Sequence, residues 1–123
     1  MKIGISSTGE DLNADVDPRF GRCKYFLFVD TDTMDFEAVS NESAMASGGA
    51  GIQAAQTVAK AGVKTIITGN MGPNAFQTLS AAGIKVFTGA NGTVKEAVEK
   101  YKKGELKETE AANVDSHHGM GGR

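Results

Sequence analysis

Two arginines and the only cysteine of the chain occur together, in the sequence Pro18-Arg19-Phe20-Gly21-Arg22-Cys23. Arginine beside a thiol favours the thiolate form or pairs with an anionic guest. Cys23, together with His117, His118 and Met120 near the carboxyl end, supplies the soft or borderline donors that suit iron and related metal centres. Simpler interpretations stay open, because Cys23 precedes a strand pattern where it serves equally well as a small apolar filler. A histidine pair in a glycine-rich tail is equally consistent with a solvated segment.

Small residues dominate the stretch Ser47-Gly48-Gly49-Ala50-Gly51. They leave backbone N–H groups bare, and a helix pattern follows directly from residue 52 to residue 61. The apolar face of that helix, predicted from the 3.6-residue period, comprises Ile52, Ala55, Val58 and Ala59. Gly62 is placed to end the helix in a left-handed conformation. A bare loop leading into a helix N-terminus can bind an anion, because the unpaired N–H groups and the positive end of the dipole face the same way. A flexible glycine-rich connection explains the same residues.

The hydrophobic periodicity of the whole chain predicts an α/β fold. Strands are predicted at residues 2–6, 25–30, 36–40, 64–68 and 84–88, and helices at residues 52–61, 73–82 and 94–102. Thr93 and Glu96 form the signature of a capping box before the last helix. A hairpin followed by β-α units predicts a mixed, mostly parallel sheet of about five strands with helices on its faces. We expect a single domain at residues 1–106 and a polar, flexible tail at residues 107–123.

The predicted strands end in small and polar residues. Ser6-Ser7-Thr8, Gly69-Asn70-Met71-Gly72 and Gly89-Ala90-Asn91-Gly92 each follow a strand pattern. Ligands of open α/β sheets lie beyond the carboxyl ends of the strands. The sequence therefore predicts a sheet rim that lets a ligand approach the backbone closely.

Composition excludes several classes of partner. The chain of 123 residues carries a net charge of −2, so no basic field for nucleic acid or an anionic membrane surface is expected. One cysteine excludes an intramolecular disulfide and fits a reducing compartment. No apolar run has the length of a membrane span, and the first residues form a strand pattern rather than a signal peptide. We therefore expect a cytoplasmic protein.

Motifs of common enzyme classes are absent or in the wrong context. Gly49 to Ala54 matches the dinucleotide fingerprint, but it does not follow the first strand in a tight turn, and the next strand does not end in an acidic residue. A nicotinamide or flavin site is therefore not expected, and no P-loop sequence occurs. The first strand lacks the carboxylates of a metal-dependent nuclease, and Asp30, Asp32 and Asp35 crowd into a turn. Both histidines lie in the predicted tail, which argues against a nucleophile–histidine pair. The residues therefore do not indicate any of these enzyme classes.

Four motifs, at residues 18–23, 48–55, 68–76 and 82–86, resemble the dinitrogenase iron–molybdenum cofactor biosynthesis family. This family comprises NifX-like proteins and also occurs as the carboxyl-terminal domain of NifB-type proteins. The resemblance covers nearly the whole chain with the motifs in the right order. It implies a three-layer α/β/α fold with ribonuclease H-like topology. It also implies a non-catalytic protein that binds and carries an iron–sulfur cluster of the iron–molybdenum cofactor precursor type.

The resemblance also implies roles for individual residues. Arg19 and Arg22 would offset the charge of an anionic cluster, and Cys23 or the tail histidines, His117 and His118, would ligate the metal. Backbone donors would come from two loops, at Gly48, Gly49 and Gly51 and at Gly69, Asn70 and Gly72. The implied partners are the cluster and a protein that donates or accepts it. The alternative function is a regulatory binder of a small phosphate-containing metabolite that uses the same glycine loops.

Overall fold

The computed structural model describes residues 1–42 and 49–110. In chain order the elements are β1 (Lys2–Ser7), β2 (Tyr25–Asp30), β3 (Phe36–Ser40), α1 (Ala50–Lys60), β4 (Thr65–Ile67), α2 (Pro73–Ala81), β5 (Lys85–Phe87) and α3 (Val94–Lys102). The predicted bounds of β2, β3 and α3 are confirmed to the residue, and those of the other elements differ by at most two residues at either end. The predicted α/β class is confirmed.

The five strands form one mixed sheet in the order β3-β2-β1-β4-β5. Strand β1 lies in the centre, antiparallel to β2 and parallel to β4. The β2–β3 pair is antiparallel and the β4–β5 pair is parallel. Four of the five strands therefore run in one direction, which is the sense in which the sheet is mostly parallel. Two of the four strand pairings are antiparallel and two are parallel, because β2 lies between two strands of the opposite direction.

Separate hydrophobic cores cover the two faces of the sheet. On one face Ile3 and Ile5 of β1 pack with Val98 of α3. On the other face α1 and α2 pack over the sheet through residues such as Val58 and Leu79. The fold therefore has the three layers expected, with two helices on one side and one on the other. The ribonuclease H-like topology implied by the family resemblance stays a prediction.

The segment before β2 crosses the carboxyl ends of the two central strands. The Ser6 hydroxyl lies 2.7 Å from both the Asp17 carbonyl oxygen and the Thr68 hydroxyl. The Asp17 N–H donates to the Ser6 carbonyl at 2.9 Å. Val16 and Asp17 are buried. This segment is therefore part of the rim of the sheet.

The chain after α3 returns to the free edge of β5. Glu108 pairs antiparallel with Phe87, and the Thr109 N–H donates to the Val86 carbonyl at 2.7 Å. The Thr88 and Thr109 hydroxyls lie 2.7 Å apart. Residues 108 and 109, within the predicted tail, thus extend the sheet. No helix of the described chain has the length and apolarity needed to cross a bilayer.

Candidate functional site

Three loops meet at the carboxyl ends of the central strands and enclose a cleft of about 500 Å³. They are residues 18–21 of the crossing segment, residues 49–52 at the start of α1, and residues 70–75 at the start of α2. Each loop belongs to one of the motifs noted in the sequence. The predicted rim is thus a concave site, and its walls come from three separate parts of the chain.

Close backbone contacts hold these loops together. The Asn70 N–H donates to the Pro18 carbonyl at 2.8 Å, and Arg19 pairs with Asn70 as an isolated parallel bridge. A Cβ atom on Gly69 would lie 2.6 Å from the Pro18 Cα. A Cβ atom on Gly21 would lie 3.0 Å from the backbone of Gly51. Glycine at these positions therefore permits the approach of the loops, because a side chain would force them apart.

The helices α1 and α2 both begin at this cleft without a side-chain cap. Their N-cap residues are Gly49 and Gly72, and no described side chain accepts from their first N–H groups. Neither helix has an acidic residue in its first turn. By contrast, α3 begins with the predicted capping box between Thr93 and Glu96. Within the described part of the chain, two positive dipole ends without a side-chain cap thus face the cleft, while the third helix satisfies its own donors.

The walls of the cleft are mainly apolar. Phe20, Met71 and Pro73 contribute to them, and no Asp or Glu is among the described residues that line the cleft. Ile52, predicted on the buried face of α1, is 37% exposed at the cleft instead. The first turn of α1, which contains Ile52, borders the cleft, so this residue stays partly exposed. The buried face of α1 consists of Ala50, Ala54, Ala55 and Val58, which includes two of the predicted residues.

Arg19 is the cation that lines the cleft among the described residues. Its Nε and Nη2 atoms each donate to the carboxylate of buried Asp17 at 3.2 Å. This hydrogen bond and the carboxylate charge raise the pKa of Arg19. The Arg19 side chain is nevertheless 65% exposed, so part of its surface faces solvent. Arg22 is exposed but is not one of the residues that line the cleft.

Cys23 lies in the core beneath the α1 and α2 layer and is inaccessible to solvent. Burial, followed by the charge of Asp17, raises the pKa of its thiol to about 12. The Asn41 side-chain amide lies 3.6 Å from its sulfur. Desolvation and the nearby carboxylate therefore disfavour the thiolate, and the alternative of a small apolar filler fits this position better. The described residues contain no group of three or more His, Cys, Asp or Glu placed to hold a metal ion.

Most of the predicted backbone donors come together. The predicted residues that line the cleft are Arg19, Gly49, Gly51, Asn70 and Gly72. Gly69 lies directly behind them against Pro18. Gly48, His117 and His118 lie outside the described residues. Sequence reasoning missed Asp17, although an Asp two residues before Arg19 is the pattern of an Asx turn, and the Arg19 N–H does donate to its carboxylate at 2.9 Å.

Comparison with known proteins agrees with the motifs. The family model described as "Dinitrogenase iron-molybdenum cofactor" matches residues 1–104. The apo form of the orange protein from Desulfovibrio gigas is 44% identical, with a TM-score of 0.89, and the match covers 91% of this chain and 95% of that one. A Thermotoga protein provisionally named NifB is 41% identical, with a TM-score of 0.76 and coverage of 87% and 91%. A Methanocaldococcus jannaschii protein provisionally named a dinitrogenase shares the fold at 23% identity, with a TM-score of 0.68 and coverage of 90% and 96%. No curated protein matches the chain.

Proposed function

Because this chain belongs to the dinitrogenase iron-molybdenum cofactor family, we propose that it is a non-catalytic carrier of an anionic, sulfide-rich metal cluster. The cluster binds in the cleft between residues 18–21, 49–52 and 70–75. The observation that carries the proposal is that two helix N-termini with glycine at the N-cap converge on one cleft, and that no described residue in its lining is a carboxylate. Backbone N–H groups and aligned peptide dipoles stabilise negative charge wherever it lies against them.

The apolar walls favour a metal–sulfide anion over a phosphate. A cluster spreads its charge over large, polarisable sulfur atoms, which make favourable contacts with apolar groups and with N–H donors at the same time. A phosphate concentrates its charge on small oxygens and loses strong hydration when it enters an apolar cleft. Ile52 and Pro73, which are at least partly exposed, supply such apolar surface around the helix N-termini. The phosphate-metabolite function is therefore the second candidate.

The proposal assigns no ligand role to Cys23. Its thiol is buried and protonated, and it does not line the cleft. The cluster is held instead by Arg19 and by backbone donors of the two helix N-termini. Such a site needs no bond from the protein to the metal, so release to an acceptor protein requires no ligand exchange. This supports a carrier that receives its cluster from one protein and passes it to another.

The similar proteins support a bound inorganic group. One relative is described as an apo form, and its name includes a colour. The family description itself names the iron–molybdenum cofactor. These descriptions belong to those proteins, and the cleft is the feature through which we extend them to this chain.

Anaerobic reconstitution tests the proposal. The purified protein is incubated with ferrous iron and sulfide, with and without molybdate, and bound metal, sulfide and the visible spectrum are measured after desalting. We expect a coloured protein in which Cys23→Ala retains the metal and sulfide content of the wild type. A colourless protein whose melting temperature rises with nucleotides or inorganic phosphate would instead support the metabolite binder. Loss of the cluster in the Cys23→Ala variant would instead indicate that the Cys23 thiol is a ligand of the cluster.

A further inference from the structure

Asp17 is a buried carboxylate beside the cleft, and only 2% of the residue is exposed. Its backbone is fixed on both sides by β1, since its N–H donates to the Ser6 carbonyl and its carbonyl accepts from the Ser6 hydroxyl. A buried carboxylate is costly unless it is fully hydrogen-bonded. The placement of Asp17 is therefore a defined feature of the rim.

The partner that satisfies this carboxylate is Arg19. One carboxylate oxygen of Asp17 accepts from the Arg19 backbone N–H at 2.9 Å and from Nε at 3.2 Å. The other accepts from Nη2 at 3.2 Å. Pro18 lies between them, so the fixed φ angle of proline further limits this turn. The carboxylate thereby fixes the conformation of both the backbone and the side chain of Arg19.

The bidentate pairing leaves part of the guanidinium available. Arginine has five N–H donors in a fixed planar arrangement, and Asp17 engages one at Nε and one at Nη2. The remaining donors lie on the edge away from Asp17, and Arg19 lines the cleft with its side chain 65% exposed. An arginine held in this way offers donors to a guest without first losing its rotamer freedom.

We propose that Asp17 is a positioning residue for guest binding, which fixes the Arg19 guanidinium at the cleft so that its free edge donates to the anion. This inference rests on the proposed function, because it takes the guest to be an anionic cluster. The inference predicts an effect of removing Asp17 on guest binding that is opposite to the effect expected from charge alone. Removing a carboxylate near an anion site should strengthen binding on charge alone, whereas loss of positioning should weaken it.

The first experiment needs no guest. In the apo protein at neutral pH, nitrogen-15 NMR should detect an Arg19 Nε–H proton that is protected from exchange, assigned by its absence in Arg19→Lys. Asp17→Asn should lose that protection, while the backbone amide spectrum of the helices stays unchanged. An equally protected Nε–H in Asp17→Asn would overturn the inference.

The second experiment measures retention of the guest. The reconstituted iron–sulfide cluster is challenged with excess chelator under anaerobic conditions, and its loss is followed by visible absorbance. We expect Asp17→Asn and Arg19→Lys each to lose the cluster roughly threefold to tenfold faster than the wild type. In the Arg19→Lys background, Asp17→Asn should have little further effect, because Asp17 acts through Arg19. Asp15→Asn is the matched control, since it removes an exposed carboxylate whose described hydrogen bonds use only its backbone.

The outcomes separate this inference from the function on which it rests. Slower cluster loss in Asp17→Asn, or equal losses in Asp17→Asn and Asp15→Asn, would overturn the positioning role. A wild-type protein that takes up no iron and sulfide would count against the proposed function, and the Nε–H signal then decides the role of Asp17 by itself. If Asp17→Asn does not fold, Arg19→Lys provides the test, because lysine keeps the charge but cannot bridge both oxygens.

Discussion

The Cys23 thiol is uncharged although two arginines lie beside it in the chain. Arg19 forms an ion pair with Asp17, and the negative charge of that carboxylate disfavours a thiolate at Cys23. Burial adds the larger contribution, because an anion loses its hydration in the core. Two residues of the same short motif thus have opposite environments, with Arg19 at the cleft and Cys23 within the core.

This burial predicts a loss of stability at high pH. Cys23 has a folded pKa of about 12, above the value of about 8.5 in an unfolded chain. The contribution of the buried, neutral thiol to the unfolding free energy is full below the unfolded pKa. It falls as the pH rises from the unfolded pKa towards the folded pKa, because in that range only the thiol of the unfolded chain ionises. The unfolding free energy should fall by about 1.4 kcal/mol per pH unit there, relative to a variant without the thiol. Urea titrations of the wild type and Cys23→Ala between pH 7.5 and 10.5 measure the difference. Parallel pH dependences in the two proteins would contradict the assigned burial.

Among the elements, the three helices differ in how their N-termini are satisfied. The capping box of α3 is complete within its own sequence, between Thr93 and Glu96. The N-cap residues of α1 and α2 are Gly49 and Gly72, which offer no side-chain acceptor. The Gly49 φ angle is +72°, which favours glycine there, whereas Gly72 is extended and accepts other residues. The backbone conformation at Gly72 therefore does not explain why α2 has no side-chain cap. Glycine at this position is consistent with N–H groups of α2 that bind a guest.

A matched pair of substitutions at Gly72 tests the use of these donors. Asp and Asn are both good N-cap residues, so each should stabilise the apo protein by a few tenths of a kcal/mol. Each would occupy the N–H groups of α2, and only Asp adds a negative charge. We expect Gly72→Asp to lose the reconstituted cluster faster than Gly72→Asn, and both to lose it faster than the wild type. Wild-type retention in both variants would place the guest elsewhere.

For the whole molecule, the site depends on contacts between distant parts of the chain. The crossing segment joins β1 through Ser6 and joins the end of β4 through Asn70. Gly69 allows the second of these contacts, since its backbone lies against Pro18. The cleft is therefore a product of how the loops pack on the sheet.

Substitution of Gly69 tests this dependence. In Gly69→Ala the new Cβ would overlap the backbone of Pro18, so we expect the unfolding free energy to fall by about 1–3 kcal/mol and the cluster to be lost faster. Gly51→Ala is the control, because its Cβ would lie 3.4 Å from the Ala75 Cβ at ordinary contact distance. Its stability should stay the same or rise by up to about 1 kcal/mol, because alanine restricts the unfolded chain more than glycine does. Thermal and urea unfolding compare the two, and equal stabilities would contradict the close approach at Gly69.

The carboxyl-terminal region needs a different experiment. A chain that ends at residue 110 keeps the pairing of Glu108 and Thr109 with β5, which a shorter chain would lose. Because the proposed guest is held by the cleft, we expect this truncation to keep the wild-type melting temperature and the wild-type rate of cluster loss. Metal and sulfide analysis after reconstitution provides the measurement. Loss of the cluster would give His117 and His118 the ligand role that the family resemblance implies.

The sequence by itself determined the elements and located their ends to within two residues. Periodicity located the five strands and three helices, and the Thr93–Glu96 cap and the left-handed Gly62 follow from neighbouring residues. The motifs of small residues also indicated the loops that form the rim. These features depend on interactions over a few residues, which a sequence displays directly.

Only the tertiary structure decided which side chains meet. The sheet order brings residues 18–21, 49–52 and 70–75 to one cleft, although they are far apart in the chain. It also turned Ile52 towards the cleft, buried Cys23 and paired Asp17 with Arg19. Burial, local charge and hydrogen bonding at these residues depend on neighbours from distant segments, and for that reason local pattern cannot supply them.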